Sequence, residues 1–171
     1  MDYKKLNYDD KETLYYLYHD KEGILPDDFT GKLEGLEKAI KNYSETAPSL
    51  YRGLYPQEVE SIGKLEVGRI FSFNRYTSFS ERLKVGLSFG EGTRYAIYLK
   101  NGKGFNYWKF ITEDMNKIKK EDPQEFEDVD GEYIIQSMNQ EKEWIFAREA
   151  KYKIEQFKTA HGYTVIECTM A

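Results

Sequence analysis

The chain has little of what most familiar catalytic centres are built from. Its 171 residues hold one cysteine, Cys168, and two histidines, His19 and His161. A single thiol excludes an internal disulfide and a cysteine metal cluster, and it fits a reducing compartment. The histidines are too few and too far apart for a zinc site or a Ser-His-Asp triad. Gly102-Lys103-Gly104 is too short to be a phosphate-cradling glycine loop. The stretch Asp128-Val129-Asp130-Gly131 has the look of a calcium loop, but Phe126 and Ser137 then occupy the end positions where carboxylates are needed. No metal is therefore predicted. Basic residues give no excess either: 25 Lys and Arg face 30 Asp and Glu, for a net charge of −5, which argues against a duplex nucleic-acid partner. Met1-Asp2-Tyr3-Lys4-Lys5 lacks an apolar signal core, and no apolar run is long enough to cross a membrane. The prediction is a soluble protein that works in the cytoplasm, where it is made.

Aromatic residues are abundant, with 15 Tyr and 10 Phe, and they favour strands. Asp9 to Glu22 and a second segment, capped by Thr30 and carrying Leu33, Leu36, Ile40 and Tyr43, follow the helical three-and-four rule. A loop with Pro26 joins them, and Pro48 ends the second. Strands are predicted at Leu50 to Leu54, Arg69 to Asn74, Tyr76 to Phe79, Arg94 to Leu99, Tyr133 to Gln136, Glu141 to Arg148, Tyr152 to Phe157 and Tyr163 to Thr169. Short helices are predicted at Pro56 to Ile62 and Glu81 to Phe89. Asn101 to Glu132 gives a poor signal, with a short helix around Thr112 to Lys120. Helices first and strands later indicate a single α+β domain over 1–171, with a helical layer at 1–47 packed on a core at 48–171.

The most informative stretch is Gln140-Glu141-Lys142-Glu143-Trp144-Ile145-Phe146. Read as a strand, it puts Glu141 and Glu143 on one face. Adjacent carboxylates repel each other, so the pair serves a cation, a reaction or plain solvent. Upstream lie Leu50-Tyr51-Arg52-Gly53-Leu54, then Arg75-Tyr76-Thr77-Ser78-Phe79-Ser80-Glu81, then Val85-Gly86-Leu87-Ser88-Phe89.

An arginine on a first strand, a Ser/Thr-rich strand and then Glu-x-Glu, in that order, resemble the arginine-specific mono-ADP-ribosyltransferases. Among these the likeness is strongest to the small enzymes carried by T-even-type bacteriophages, and it covers Ser49 to the C-terminus. It implies an ADP-ribosyltransferase-like fold of two facing, mostly antiparallel sheets with NAD in the cleft. It also implies transfer of ADP-ribose to an arginine of a target protein, with nicotinamide released and no metal. Such a target would be a host protein, for instance of the transcription or translation machinery.

The resemblance gives the residues roles. Glu143 would stabilise the positive ribosyl transition state by holding the 2′-hydroxyl. Glu141 would orient the acceptor guanidinium and take its proton. Arg52 would grip an NAD phosphate or ribose with its fork, and Gly53 would let backbone approach the nicotinamide carboxamide. Ser78 would hold Glu143. The family's Ser-Thr-Ser aligns with Ser78-Phe79-Ser80, or one residue earlier with Thr77-Ser78-Phe79. In the first alignment Phe89 falls where an aromatic stacks on nicotinamide. Arg75 and Arg94 are candidate diphosphate contacts, and Asp130 to Gln140 is the loop expected to choose the acceptor. Two rival readings are an NAD glycohydrolase, with water as acceptor, and a catalytically inactive nucleotide- or protein-binding module.

Overall fold

Helix α1, Tyr8–Leu17, begins where Asn7 and Asp10 form a reciprocal cap: the Asp10 amide donates to Asn7 Oδ1 at 2.8 Å and the Asn7 amide to Asp10 Oδ2 at 2.9 Å. The computed structural model describes residues 2–18 and 33–171. The predicted loop with Pro26, the cap at Thr30, His19 and the end of the first helix at Glu22 lie outside the described residues. Helix α2, Leu33–Tyr43, buries Leu36, Ala39 and Tyr43. It crosses α1 closely at Gly35, where a Cβ would lie 2.6 Å from the Asp10 carbonyl oxygen. The chain then runs straight into strand β1, Ser44–Thr46. Residues 1–47 thus contribute a strand as well as helices, and β1 ties them to the sheet.

The remaining elements are β2 (Leu50–Gly53), α3 (Pro56–Ile62), β3 (Ile70–Phe71), β4 (Thr77–Ser80), α4 (Leu83–Ser88), β5 (Tyr95–Lys100), β6 (Lys103–Phe105), α5 (Tyr107–Glu121), α6 (Pro123–Asp128), α7 (Gly131–Glu141), β7 (Glu143–Phe146), β8 (Tyr152–Ala160) and β9 (Tyr163–Met170). In the middle of the chain the short helix expected around Thr112 to Lys120 is found, inside a longer one, and one expected strand is not. The segment with a poor signal holds β6 and a fifteen-residue helix: Asn106 caps α5 by accepting from the Lys109 amide, and Tyr107, Phe110, Ile111 and Met115 make its buried stripe. Tyr133 to Gln136, predicted as a strand, is helical. Ile134, Ile135 and Met138 fall on one face of α7, which packs on α5, and tertiary packing overrides the β-branched run.

The strands pair in the order β1-β6-β7-β4-β2-β5-β9-β8-β3, antiparallel throughout except β5 with β9. They form one connected sheet rather than the two that were expected. The join is thin: β2 and β4 share a single residue pair, Tyr51 with Ser80. At that join the sheet turns sharply. In a flat sheet β4 and β8 would stand about 19 Å apart, at ~4.8 Å per strand. The rings of Phe79 in β4 and Tyr152 in β8 are nevertheless 5.9 Å apart, and those of Phe146 and Tyr152 are 6.4 Å apart. The two halves therefore fold toward one another over a shared core of Leu50, Phe79, Ile97, Trp144, Phe146 and Ile166. A second core, with Leu14, Leu36, Phe105, Phe110 and Ile145, lies under the helices. Trp108 packs against both.

Candidate active site

Strand parity decides what faces what. In the β4/β7 register Ser78 is opposite Ile145, Phe79 opposite Trp144 and Ser80 opposite Glu143. Phe79 and Trp144 point into the core between the folded halves, so Ser78, Ser80 and Glu143 share the other face. There the Ser78 hydroxyl donates to Glu143 Oε1 at 2.6 Å. Ser78 is 1% exposed and Glu143 is half-buried at the start of β7. The hydroxyl holds one carboxylate oxygen in place. Tyr107, fully buried below, has its phenol pushed well above the ordinary range by burial first, with the charges of Glu143, Tyr15 and Glu141 adding. Its hydroxyl donates to the Leu14 carbonyl, which fastens α1 under the site.

Glu141 and Glu143 do not sit on one strand face. Glu141 is the last residue of α7, Lys142 takes left-handed backbone angles (φ 47°, ψ 46°), and Glu143 opens β7. A helix end and a one-residue turn, rather than the pleat, set the relation between the two carboxylates. The segment Asp130 to Gln140, expected as a loop, is mostly α7 itself. Ser80 braces its end: the hydroxyl donates to the Glu141 carbonyl at 2.5 Å and accepts from the Arg82 amide at 3.0 Å. Ser80 thus supports the approach to α4 without being its N-cap, which is Arg82.

Arg52 lies in the protein interior. Tyr51 pairs with Ser80, so its neighbour Arg52 leaves β2 on the face of Phe79. It is 0% exposed. Nη2 contacts both Glu58 oxygens, at 3.2 and 3.1 Å, and Nη1 donates to the Ser78 carbonyl at 3.2 Å. The guanidinium also lies 5.2 Å from the centre of the Phe73 ring and 5.7 Å from that of Tyr55. Glu58 is fixed in turn by the Tyr55 amide, at 2.9 Å. In this arrangement the fork spans the place where β2 and β4 part, and it holds the strand that carries Ser78.

The other predicted residues divide. Thr77 is buried and donates to the Arg75 carbonyl at 3.0 Å, which leaves Ser78 as the hydroxyl on Glu143. Gly53 does permit a close approach, but of helix α4: a Cβ there would lie 2.8 Å from the Gly90 nitrogen and 2.8 Å from the Leu87 oxygen. Phe89, half-buried at the C-cap of α4, is carried next to that contact. Arg75 and Arg94 are exposed, and a Cβ at Gly162 in the β8–β9 turn would lie 2.8 Å from Arg94 Nη1. Sequence reasoning missed Glu58 and Glu81. Glu58 had a signal, being the third residue of a helix opened by Pro56. Among the described residues, no group of three or more His, Cys, Asp or Glu converges as a metal ion would require. No described helix is long and apolar enough to cross a membrane.

No protein-family model matches the chain. In sequence it is 33% identical over 129 residues to the NAD–protein ADP-ribosyltransferase modB of Enterobacteria phage T4, an alignment covering 70% of this chain and 62% of that protein. The chain thus spans about three-fifths of the length of this relative. In fold it is similar to exoenzyme S of Pseudomonas aeruginosa, solved with human 14-3-3 protein beta and carba-NAD (TM-score 0.63, 16% identity, 97% of this chain and 75% of that one). It is similar also to the Vis toxin of Vibrio splendidus, an ADP-ribosyltransferase (TM-score 0.59, 16% identity, 99% and 76%). The strand order and these likenesses establish an α+β ADP-ribosyltransferase-like fold, related to the phage enzyme in sequence and to the toxins in architecture.

Proposed function

We propose that the chain transfers ADP-ribose from NAD to an arginine side chain of a protein, with release of nicotinamide. The observation that carries this reading is the Ser78–Glu143 contact at 2.6 Å, which joins residues 65 positions apart on the face beside the parting strands. NAD would supply a bond that breaks without an acid, because nicotinamide leaves with the bonding electrons as a neutral ring while positive charge builds on the ribose. Glu143, held by Ser78, is the carboxylate that would meet this charge through the 2′-hydroxyl. Arg52 would act on the donor site indirectly, by fixing the Ser78 strand. Gly53, Ser80 and Phe89 would shape its wall, and the exposed Arg75 and Arg94 are the candidates for the diphosphate.

Glu141 would serve the acceptor. A guanidinium is protonated at neutral pH and is a poor nucleophile. A carboxylate at the end of α7 can orient it and accept the proton as the new C–N bond forms. The acceptor would be a host protein, such as one of transcription or translation, met in the cytoplasm.

The test follows the two carboxylates separately. Glu143→Gln is expected to lower nicotinamide release and label transfer together, by about a hundredfold or more. Glu141→Gln is expected to abolish transfer to an arginine analogue while leaving much of the slow nicotinamide release. Equal loss of both activities in a folded Glu141→Gln protein would remove its acceptor role. A wild-type protein that releases nicotinamide and never labels an arginine would be a glycohydrolase, and one that does neither would be an inactive binding module.

A further inference from the structure

Both tryptophans of the chain point their indole N–H groups at one atom. Glu81 Oε2 accepts from Trp108 Nε1 at 2.6 Å and from Trp144 Nε1 at 2.9 Å. Trp144 immediately follows Glu143 in β7, and Trp108 belongs to α5, the helix on which α7 packs. One carboxylate oxygen therefore links the strand that opens with Glu143 to the support of the helix that ends with Glu141. The Glu81 backbone joins the same place, since its amide donates to the Lys142 carbonyl at 3.1 Å.

Lys142 needs such support. Its left-handed backbone is unfavourable for a residue with a Cβ. The Lys142 ammonium is drawn back over the Trp108 ring, 3.6 Å from its centre, and donates to Asn139 Oδ1 at 3.3 Å. This keeps a cation that sits between two carboxylates in sequence directed at the tryptophan.

We infer that Glu81 is a positioning residue for the acceptor side of the site: its carboxylate and amide fix the turn at Lys142, and so the placement of Glu141 relative to Glu143. This inference rests on the transferase reading for its consequence in catalysis, although the geometry stands without it. The Ser78–Glu143 contact is held separately, by the β4/β7 register. Loss of Glu81 should therefore disturb Glu141 more than Glu143.

The test uses the full chain with Glu81→Ala, Glu81→Gln and Trp108→Phe. The chain has only two tryptophans, so its intrinsic fluorescence reads the Glu81 contacts directly. Glu81→Ala is expected to shift the emission, speed hydrogen exchange at the Lys142 amide, and lower transfer to an arginine analogue by at least about tenfold, with nicotinamide release changed by less than about threefold. Glu81→Gln keeps an oxygen that can accept both N–H groups, so it should retain most of the transfer. Trp108→Phe keeps the ring under Lys142 but loses one N–H, and should fall between. If Glu81→Ala and Trp108→Phe leave the ratio of transfer to release unchanged, or if Glu81→Gln fails as badly as Glu81→Ala, the positioning role is overturned. If Glu81→Ala does not fold, the ratio in Trp108→Phe decides. A wild type without either activity would defeat the transferase reading alone, because unchanged emission and Lys142 exchange in Glu81→Ala would still be needed to defeat the positioning geometry.

Discussion

Arg52 shows what one residue's neighbours can do to a motif. Its place in the chain was legible, because an arginine on a first strand before a Ser/Thr strand resembles a known order. Its direction was not, because that depends on which residue of β4 lies opposite Tyr51, a long-range register that local sequence does not contain. Once buried, the charge needs a partner and hydrogen bonds, and Glu58, the Ser78 carbonyl and the rings of Phe73 and Tyr55 supply them. A lysine has one compact ammonium and cannot contact Glu58 and Ser78 in the same way. Arg52→Lys is therefore expected to lower stability by about 2 kcal/mol or more, read as a lower urea midpoint at unchanged slope. Under conditions where it stays folded, its kcat should fall while its KM for NAD changes by less than about threefold. A KM raised tenfold at wild-type stability would instead mean that the fork reaches the dinucleotide.

Among the elements, α3, β2 and β4 were readable because their signals are local: Pro56 opens a helix, and short aromatic or β-branched runs make strands. Helix α7 was not, because Tyr133, Ile134 and Ile135 look like a strand until α5 offers Ile134, Ile135 and Met138 a surface. That error also displaced the site, turning a helix end with a left-handed Lys142 into an imagined pleat. Helix α4 had a visible pattern whose reason was hidden. Gly86, inside the helix, lets it lie directly on β2, where a Cβ would come within 2.4 Å of the Tyr51 carbonyl oxygen. In an isolated helix Gly→Ala is favourable. Here Gly86→Ala is expected to destabilise by about 1–3 kcal/mol through overpacking, whereas the exposed Lys84→Ala on the same helix should stay within about 0.5 kcal/mol. Denaturant melts of the two variants side by side make the comparison.

Across the whole molecule, the α+β class could be read from the order of helices and strands, while the single sheet turning at Tyr51 and Ser80 could not, since it depends on pairings between distant segments. The half beyond that turn is tied across three strands by Glu167 of β9. Its side chain is 5% exposed and meets Lys100 of β5, Lys158 of β8 at 3.0 Å and Gln156 at 2.9 Å. Hydrogen bonds from Lys100 first, then Lys158, bring its carboxyl down from an ordinary 4.5 to about 2. A pKa lowered by folding contributes stability that is fully present above 4.5 and is lost as the pH falls toward 2. Wild type should lose stability across that window, and Glu167→Gln should show a flatter acid limb in melts taken between about pH 5 and 2. If both curves fall in parallel, Glu167 is not the group that titrates. The place of β9 has a further consequence for how the protein is made. It lies between β5 and β8 and supplies the one parallel pairing among the described strands, with a partner almost seventy residues earlier. A growing chain can build α1, α2 and the β2/β5 pair as they leave the ribosome, but until β9 emerges, β5 and β8 are open edges. That half of the sheet cannot close before this strand is made, so a chain paused short of it presents two unpaired edges to its neighbours.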